Sequence, residues 1–156
     1  MLTSRFSRSL LTAATVVGLL TIPVAANAAS VAAGGSSGRG LSAELSGANE
    51  VGAAGDPDGM GAAAVTVNVG KGELCYTVAF SGIEPNRGHI HFGEAGANGG
   101  IAVTLFEGVQ TNPATGCASG IDRALLRDIL RDPSGYYVNL HTAEFPAGAV
   151  RGQLER

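Results

Sequence analysis

The sequence predicts an all-β domain, an antiparallel Greek-key-like β-sandwich of about seven strands with one short helix. Short stretches that alternate apolar and polar residues recur along the chain, as expected of half-buried strands. The chain contains 24 glycines and 6 prolines, which suit the many tight turns between such strands. Only one stretch, residues 122–131, has the apolar spacing of an amphipathic helix.

Residues 1–28 have the features of a cleavable signal peptide. Two arginines precede an apolar run over residues 9–25, and residues 26–28 have the small-x-small form that signal peptidases cleave. A membrane anchor is the alternative, but polar residues and a proline interrupt the run and no basic flank follows it. We therefore expect a secreted protein, extracellular or in the cell envelope, with no membrane attachment after cleavage.

The mature chain is predicted to begin with a flexible lead over residues 29–40, followed by one domain over residues 41–156. Cleavage removes two arginines and leaves 8 basic and 13 acidic residues, a net charge of −5. Nucleic acids and anionic membranes attract basic surfaces. This acidic balance therefore argues against both as partners.

The two cysteines, Cys75 and Cys117, are predicted to form a disulfide, because an even count in an exported chain is typical of such a bond. Closing a loop of this length stabilises a fold by roughly 3–4 kcal/mol. Metal ligation by thiolates is the alternative. It is disfavoured because neither cysteine has a C-x-x-C partner or a histidine close by in the sequence.

The predicted strands cover, in order, residues 41–46, 62–69, 74–81, 88–92, 101–106, 136–142 and 149–154. The second and third form a hairpin, and every second residue of the third, from Leu74 to Phe80, lies on its buried face. The loop over residues 47–61 is longer than most connections, which suggests a function. Residues 107–120 are predicted to be a loop that contains Cys117.

The single helix is predicted to run from Asp122, a suitable N-cap, to Arg131, ahead of Asp132-Pro133. Its apolar stripe consists of Leu125, Leu126, Ile129 and Leu130. Another face has a row of arginines at every fourth position: Arg123, Arg127 and Arg131. We interpret this row as a solvated face, with anion binding as the alternative.

No recognisable catalytic motif occurs in the sequence. It has no G-x-S-x-G nucleophile elbow, and the glycine-rich segment 96–100 lacks the lysine and following helix of a phosphate-binding loop. The paired carboxylates Asp56 and Asp58 lie in a predicted turn and are expected to be exposed. We therefore predict no catalytic residues and no enzymatic activity of the hydrolase or nucleotide-dependent kind.

The three histidines are the candidate site. His89 and His91 share one face of a predicted strand, and His141 shares a face with Tyr137 and Asn139 in another. Three imidazoles suit a Cu or Zn ion, with water or a carboxylate such as Glu94 completing the coordination. The alternative is a hydrogen-bonded structural cluster that binds no metal.

The last predicted strand adds two polar residues, Arg151 and Gln153, that share a face. If the strands that contain the histidines adjoin it, one polar cluster results. Its members would be His89, His91, Asn139, His141, Arg151 and Gln153.

Three separated motifs resemble those of the CHRD domain. They are GHIHFG over residues 88–93 with the glycines that follow, YVNLHT over residues 137–142, and PAGAVRGQL over residues 146–154. The segment LSGANEV, residues 45–51, resembles the start of that domain. The likeness extends from residue 41 to residue 154. It implies a secreted β-rich domain whose animal relatives bind growth factors outside the cell, and it brings no catalytic residues.

A weaker resemblance is to copper/zinc superoxide dismutase, another Greek-key β protein with an H-x-H strand. Three histidines are too few for its binuclear site. The function favoured by the sequence is thus a binding or structural module without catalysis, whose partner is an extracellular protein or surface ligand. The alternative is a Cu/Zn-binding or redox protein. A carbohydrate-binding module ranks lowest, because three tyrosines and no tryptophan offer few stacking surfaces.

Overall fold

The computed structural model describes residues 38–156. The predicted signal peptide and residues 29–37 of the predicted lead lie outside this range. The elements are β1 (Arg39–Ser46), β2 (Met60–Asn68), β3 (Glu73–Ser81), β4 (Arg87–Phe92), β5 (Ile101–Glu107), β6 (Ala114–Ser119), α1 (Arg123–Arg131), β7 (Tyr136–His141) and β8 (Val150–Gln153). Within residues 38–156, no helix has the length and apolar character needed to cross a membrane.

The eight strands form a single sheet in the order β5-β4-β7-β8-β1-β2-β3-β6, and every pairing is antiparallel. Strands β5 and β6, at the two ends of this order, also contact each other, so the sheet curls round one core. The connections that place β4 beside β7 and β8 beside β1 are Greek-key-like. The predicted all-β class is confirmed, with eight strands where the sequence indicated about seven.

The additional strand is β6, and the prediction of a loop throughout residues 107–120 is wrong. Its sequence, ATGCAS, has no large apolar residue, so alternation gave no signal. Its pairing with β3 places Cys75 directly opposite Cys117, and the two sulfurs are bonded at 2.09 Å. The disulfide thus attaches an edge strand to the sheet. A second difference concerns strand β1, which begins at Arg39, so residues 39 and 40 belong to the sheet and not to the predicted flexible lead.

The core consists of the inward residues of the strands together with two residues of α1. In β3, Leu74, Tyr76 and Val78 are buried, as the alternation predicted. Leu126 and Ile129 are the fully buried members of the helical stripe. The helix begins where predicted, because the Asp122 carboxylate accepts a hydrogen bond from the Ala124 backbone N–H at 2.7 Å.

Candidate metal centre

The outer face of β4, β7 and β8 presents a continuous set of polar side chains. The antiparallel register places His89 opposite Asn139, His91 opposite Tyr137, and Asn139 opposite Arg151. Residues that alternate with them, including Ile90, Val138 and Leu140, lie in the core. The structure therefore brings together all six residues of the polar cluster named from the sequence. Loops cover this face, so that His89 is only 4% exposed and His141 only 6%.

The three histidines converge on one point. One ring nitrogen from each of His89, His91 and His141 lies within 4.8 Å of the other two. Of these rings, His89 and His141 are in direct contact, with His89 Nδ1 3.1 Å from His141 Nε2. Two nitrogen ligands of a tetrahedral zinc ion lie about 3.3 Å apart, given bonds of about 2.0–2.1 Å. The spacing of this pair therefore fits a metal ion between them.

The other nitrogen of each ring faces an oxygen. His91 Nδ1 lies 3.0 Å from the Gly99 carbonyl, and His141 Nδ1 lies 3.2 Å from the Pro146 carbonyl. His89 Nε2 lies 3.3 Å from a carboxylate oxygen of Glu107. Metal-binding histidines usually donate the N–H of their other ring nitrogen to an oxygen, which fixes the tautomer and the ring orientation.

These outer contacts determine where the ring protons lie. A neutral imidazole has one N–H, and each ring needs it on its outer nitrogen to donate to oxygen. Lone pairs then remain on the three inner nitrogens. With the N–H groups placed in this way, the lone pairs of His89 Nδ1 and His141 Nε2 face each other across 3.1 Å, and a metal ion between them would use both. The inner Nε2 of His91 is buried and has no hydrogen-bond partner.

The local environment keeps two of the rings neutral. Burial lowers the pKa of His141 to about 4, and the positive charges of His89 and Arg87 add to this effect. Burial also lowers the pKa of His91; the hydrogen bond to the Gly99 carbonyl partly opposes this effect, and the positive charge of Arg151 makes a smaller contribution in the same direction as burial. Neutral imidazole is the form that binds metals.

The acidic partner of the site differs from the one suggested by the sequence. The Glu94 side chain is exposed, and this residue contributes its backbone carbonyl to Arg151. The carboxylate beside the histidines is that of Glu107, at the end of β5, which is bonded to the outer nitrogen of His89. Glu107 thus orients a candidate ligand and does not itself join the converging set.

The remaining cluster residues support the histidines. The Arg151 guanidinium lies 3.4 Å from the centre of the Tyr137 ring, and His91 stacks on that ring with an interplanar angle of 10°. Because β7 lies between β4 and β8, Tyr137 separates His91 from Arg151. Asn139 donates to the Glu50 carboxylate, which belongs to the long loop before β2. That loop therefore contacts the polar cluster through Glu50.

The loop over residues 93–100 closes over the cluster. Arg151 donates to Asn98 Oδ1 at 3.1 Å and to the Glu94 carbonyl at 2.9 Å. Gln153 donates to the Gly93 carbonyl at 2.9 Å. The same loop supplies the Gly99 carbonyl that orients His91. Arg151 and Gln153 therefore hold in place the loop whose Gly99 carbonyl faces His91, and neither belongs to the converging set.

Sequence reasoning missed Glu107, Glu50, Gly99 and Pro146 as parts of the site. Two of the four contribute only a carbonyl oxygen, for which residue type gives no signal. Glu107 was detectable in principle, since it immediately follows a predicted strand. Tyr137 was already placed on the face of His141.

The family model of the CHRD domain matches residues 41–154 of the chain. No curated protein and no solved structure matches the chain.

Proposed function

This chain belongs to the CHRD domain family, and on that premise we propose that it is an exported, non-catalytic module that binds one copper or zinc ion through His89, His91 and His141. The observation that carries the proposal is the arrangement of ring nitrogens. One nitrogen of each ring faces an oxygen, and one nitrogen of each ring lies within 4.8 Å of a nitrogen of each of the other two rings. This arrangement is typical of a three-histidine metal site in which oxygen acceptors orient the rings.

The competing interpretation is a structural cluster of hydrogen-bonded histidines. Such a cluster should satisfy its buried polar atoms, because an unpaired buried acceptor costs about 1–3 kcal/mol. The His89–His141 contact is compatible with it, because one of the two ring nitrogens can donate a hydrogen bond to the other. The buried His91 Nε2, which has no hydrogen-bond partner, is incompatible with a cluster of that kind. A metal ion would use the nitrogen that the structural interpretation leaves unpaired.

The absence of catalysis in the proposal follows the general character of the CHRD family. Within residues 38–156, the only other grouping with metal-ligand geometry is Glu73, Cys75 and Cys117, whose two sulfurs are already joined in the disulfide. The described residues thus offer one trihistidine set and no second one beside it, so the proposal ends at mononuclear binding and does not extend to dismutation.

Export is part of the proposal and rests on two features. Residues 1–28 have the composition of a signal peptide, and a disulfide joins Cys75 to Cys117. Expression with its own leader in a secreting host should yield a protein whose N-terminus is residue 29. An unprocessed chain retained in the cytoplasm would contradict export without bearing on the metal site.

Metal binding is tested on the secreted protein. After removal of metals with a chelator, equilibrium dialysis against Cu or Zn and elemental analysis should find one ion per chain. His141→Ala should abolish this stoichiometry. Lys71→Gln, in the β2–β3 hairpin away from the site, should retain it. Less than one-tenth of an equivalent of either metal on the folded wild-type protein would overturn the proposal.

A further inference from the structure

We propose that the trihistidine site selects monovalent copper over Zn(II) and Cu(II), and that the positive charges of Arg87 and Arg151 set this preference. The inference rests on the proposed metal site and names the ion and the oxidation state that it holds. Its grounds are the number of donors, their charge, and the fixed charges that surround them.

The donor set is small and uncharged. It consists of three imidazole nitrogens, and no fourth histidine, cysteine or carboxylate among residues 38–156 joins the group. Zinc in proteins is almost always four-coordinate, whereas Cu(I), a closed-shell ion, is satisfied by three donors in a plane. The inner nitrogen of His91 is buried from solvent, which disfavours water as a fourth ligand.

The fixed charges nearest two of the ligands are positive. Arg151 is 2% exposed, and no salt bridge joins it to a carboxylate in the described part of the chain. Only the Tyr137 ring separates its guanidinium from His91. Arg87 lies opposite His141 in the register and donates to the same Pro146 carbonyl that His141 faces.

Two acids lie near the cluster, and each offsets one of these arginines only in part. The Glu107 side chain lies opposite Arg87 in the β4–β5 register and beside His89, but it is 62% exposed, so solvent screens its charge. Glu50 lies behind Asn139, where burial raises the pKa of its carboxyl group more strongly than the positive charge of Arg151 lowers it. At His91 and His141, the electrostatic field of the two arginines therefore opposes a divalent ion more strongly than a monovalent one.

The test compares affinities for three ions by competition with chromophoric chelators, with Cu(I) handled under anaerobic conditions. The wild-type protein should bind Cu(I) more tightly than Zn(II) or Cu(II). Arg87→Gln should reduce the ratio of Cu(I) to Cu(II) affinity about twofold to fivefold, because removal of one half-buried positive charge favours the divalent ion more. Arg123→Gln, on the exposed face of α1, is the matched control and should leave the ratio unchanged.

Arg151→Met should reduce the same ratio by about tenfold or more, since this charge is buried. If that variant fails to fold, the Arg87→Gln result decides. Equal or tighter binding of Zn(II), or a ratio that Arg87→Gln leaves at the wild-type value, would overturn the inference while leaving metal binding intact. A wild-type protein that binds none of the three ions would overturn the proposed function as well.

Discussion

His91→Phe should make the metal-free protein more stable and eliminate metal binding. The phenyl ring retains the stack on Tyr137 but removes Nε2, whose burial without a partner costs about 1–3 kcal/mol. It also loses the hydrogen bond to the Gly99 carbonyl, which contributes about 0.5–1.5 kcal/mol. The net gain in the free energy of unfolding is about 1 kcal/mol. For a domain of about 120 residues, this raises Tm by about 4 °C.

Calorimetric or circular-dichroism melts of the metal-free proteins measure this gain. A second pair of melts with copper or zinc at about 100 times its Kd should stabilise the wild-type protein by about 2.7 kcal/mol, or about 11 °C. The variant should show no such increase, and Lys71→Gln should behave as wild type in both conditions.

The reasoning is refuted if metal-free His91→Phe melts several degrees below wild type. That outcome would show that His91 is a structural histidine whose hydrogen bond matters more than its unpaired nitrogen. If the metal-induced increase in Tm also persisted in the variant, His91 would be excluded as a metal ligand.

Four further predictions concern the stability of the fold and the carbonyl that orients His91. Replacing both Cys75 and Cys117 by serine should cost about 4 kcal/mol, or about 15 °C in Tm, because the bond closes a loop of 42 residues; a loss below about 5 °C would contradict this. Asp122→Ala should lower the free energy of unfolding by about 1 kcal/mol through loss of the helix cap, and an unchanged Tm would contradict the cap. In the metal-free protein, the pKa of His141 is about 4 when folded and near 6.5 when unfolded, so the unfolded chain binds the extra proton between these values. Stability should therefore fall by up to about 3 kcal/mol as pH decreases from 6.5 to 4, and denaturant curves parallel to those of His141→Gln would contradict the neutral ring. Gly99→Ala should weaken metal binding without removing a ligand, because its Cβ would collide with the Phe92 carbonyl oxygen and displace the acceptor of His91; unchanged affinity would contradict that role.

The sequence predicted which residues share the polar face, but not how their side chains are oriented there. Alternation alone placed His89 with His91, and Tyr137 and Asn139 with His141, and the antiparallel pairing of β4 with β7 brings the two sets together. Strand β6 escaped detection because a row of small residues has no alternation to detect. The ring protons escaped detection for a different reason, since their positions depend on oxygens from three separate parts of the chain.

Gly99, which follows the H-x-H strand, helps to fix the orientation of the histidines. A polar cluster on the outer face of a sheet is normally solvated, and imidazoles there would be free to rotate. Here a loop crosses close enough for the Gly99 carbonyl to fix His91, and only glycine permits this path, because any Cβ at position 99 would overlap the Phe92 carbonyl. Arg151 and Gln153 then hold the loop down through its carbonyl and amide oxygens. The GHIHFG, YVNLHT and VRGQL segments thus supply, respectively, two of the converging histidines, the third histidine with the stacking ring of Tyr137, and the residues that hold the loop over them.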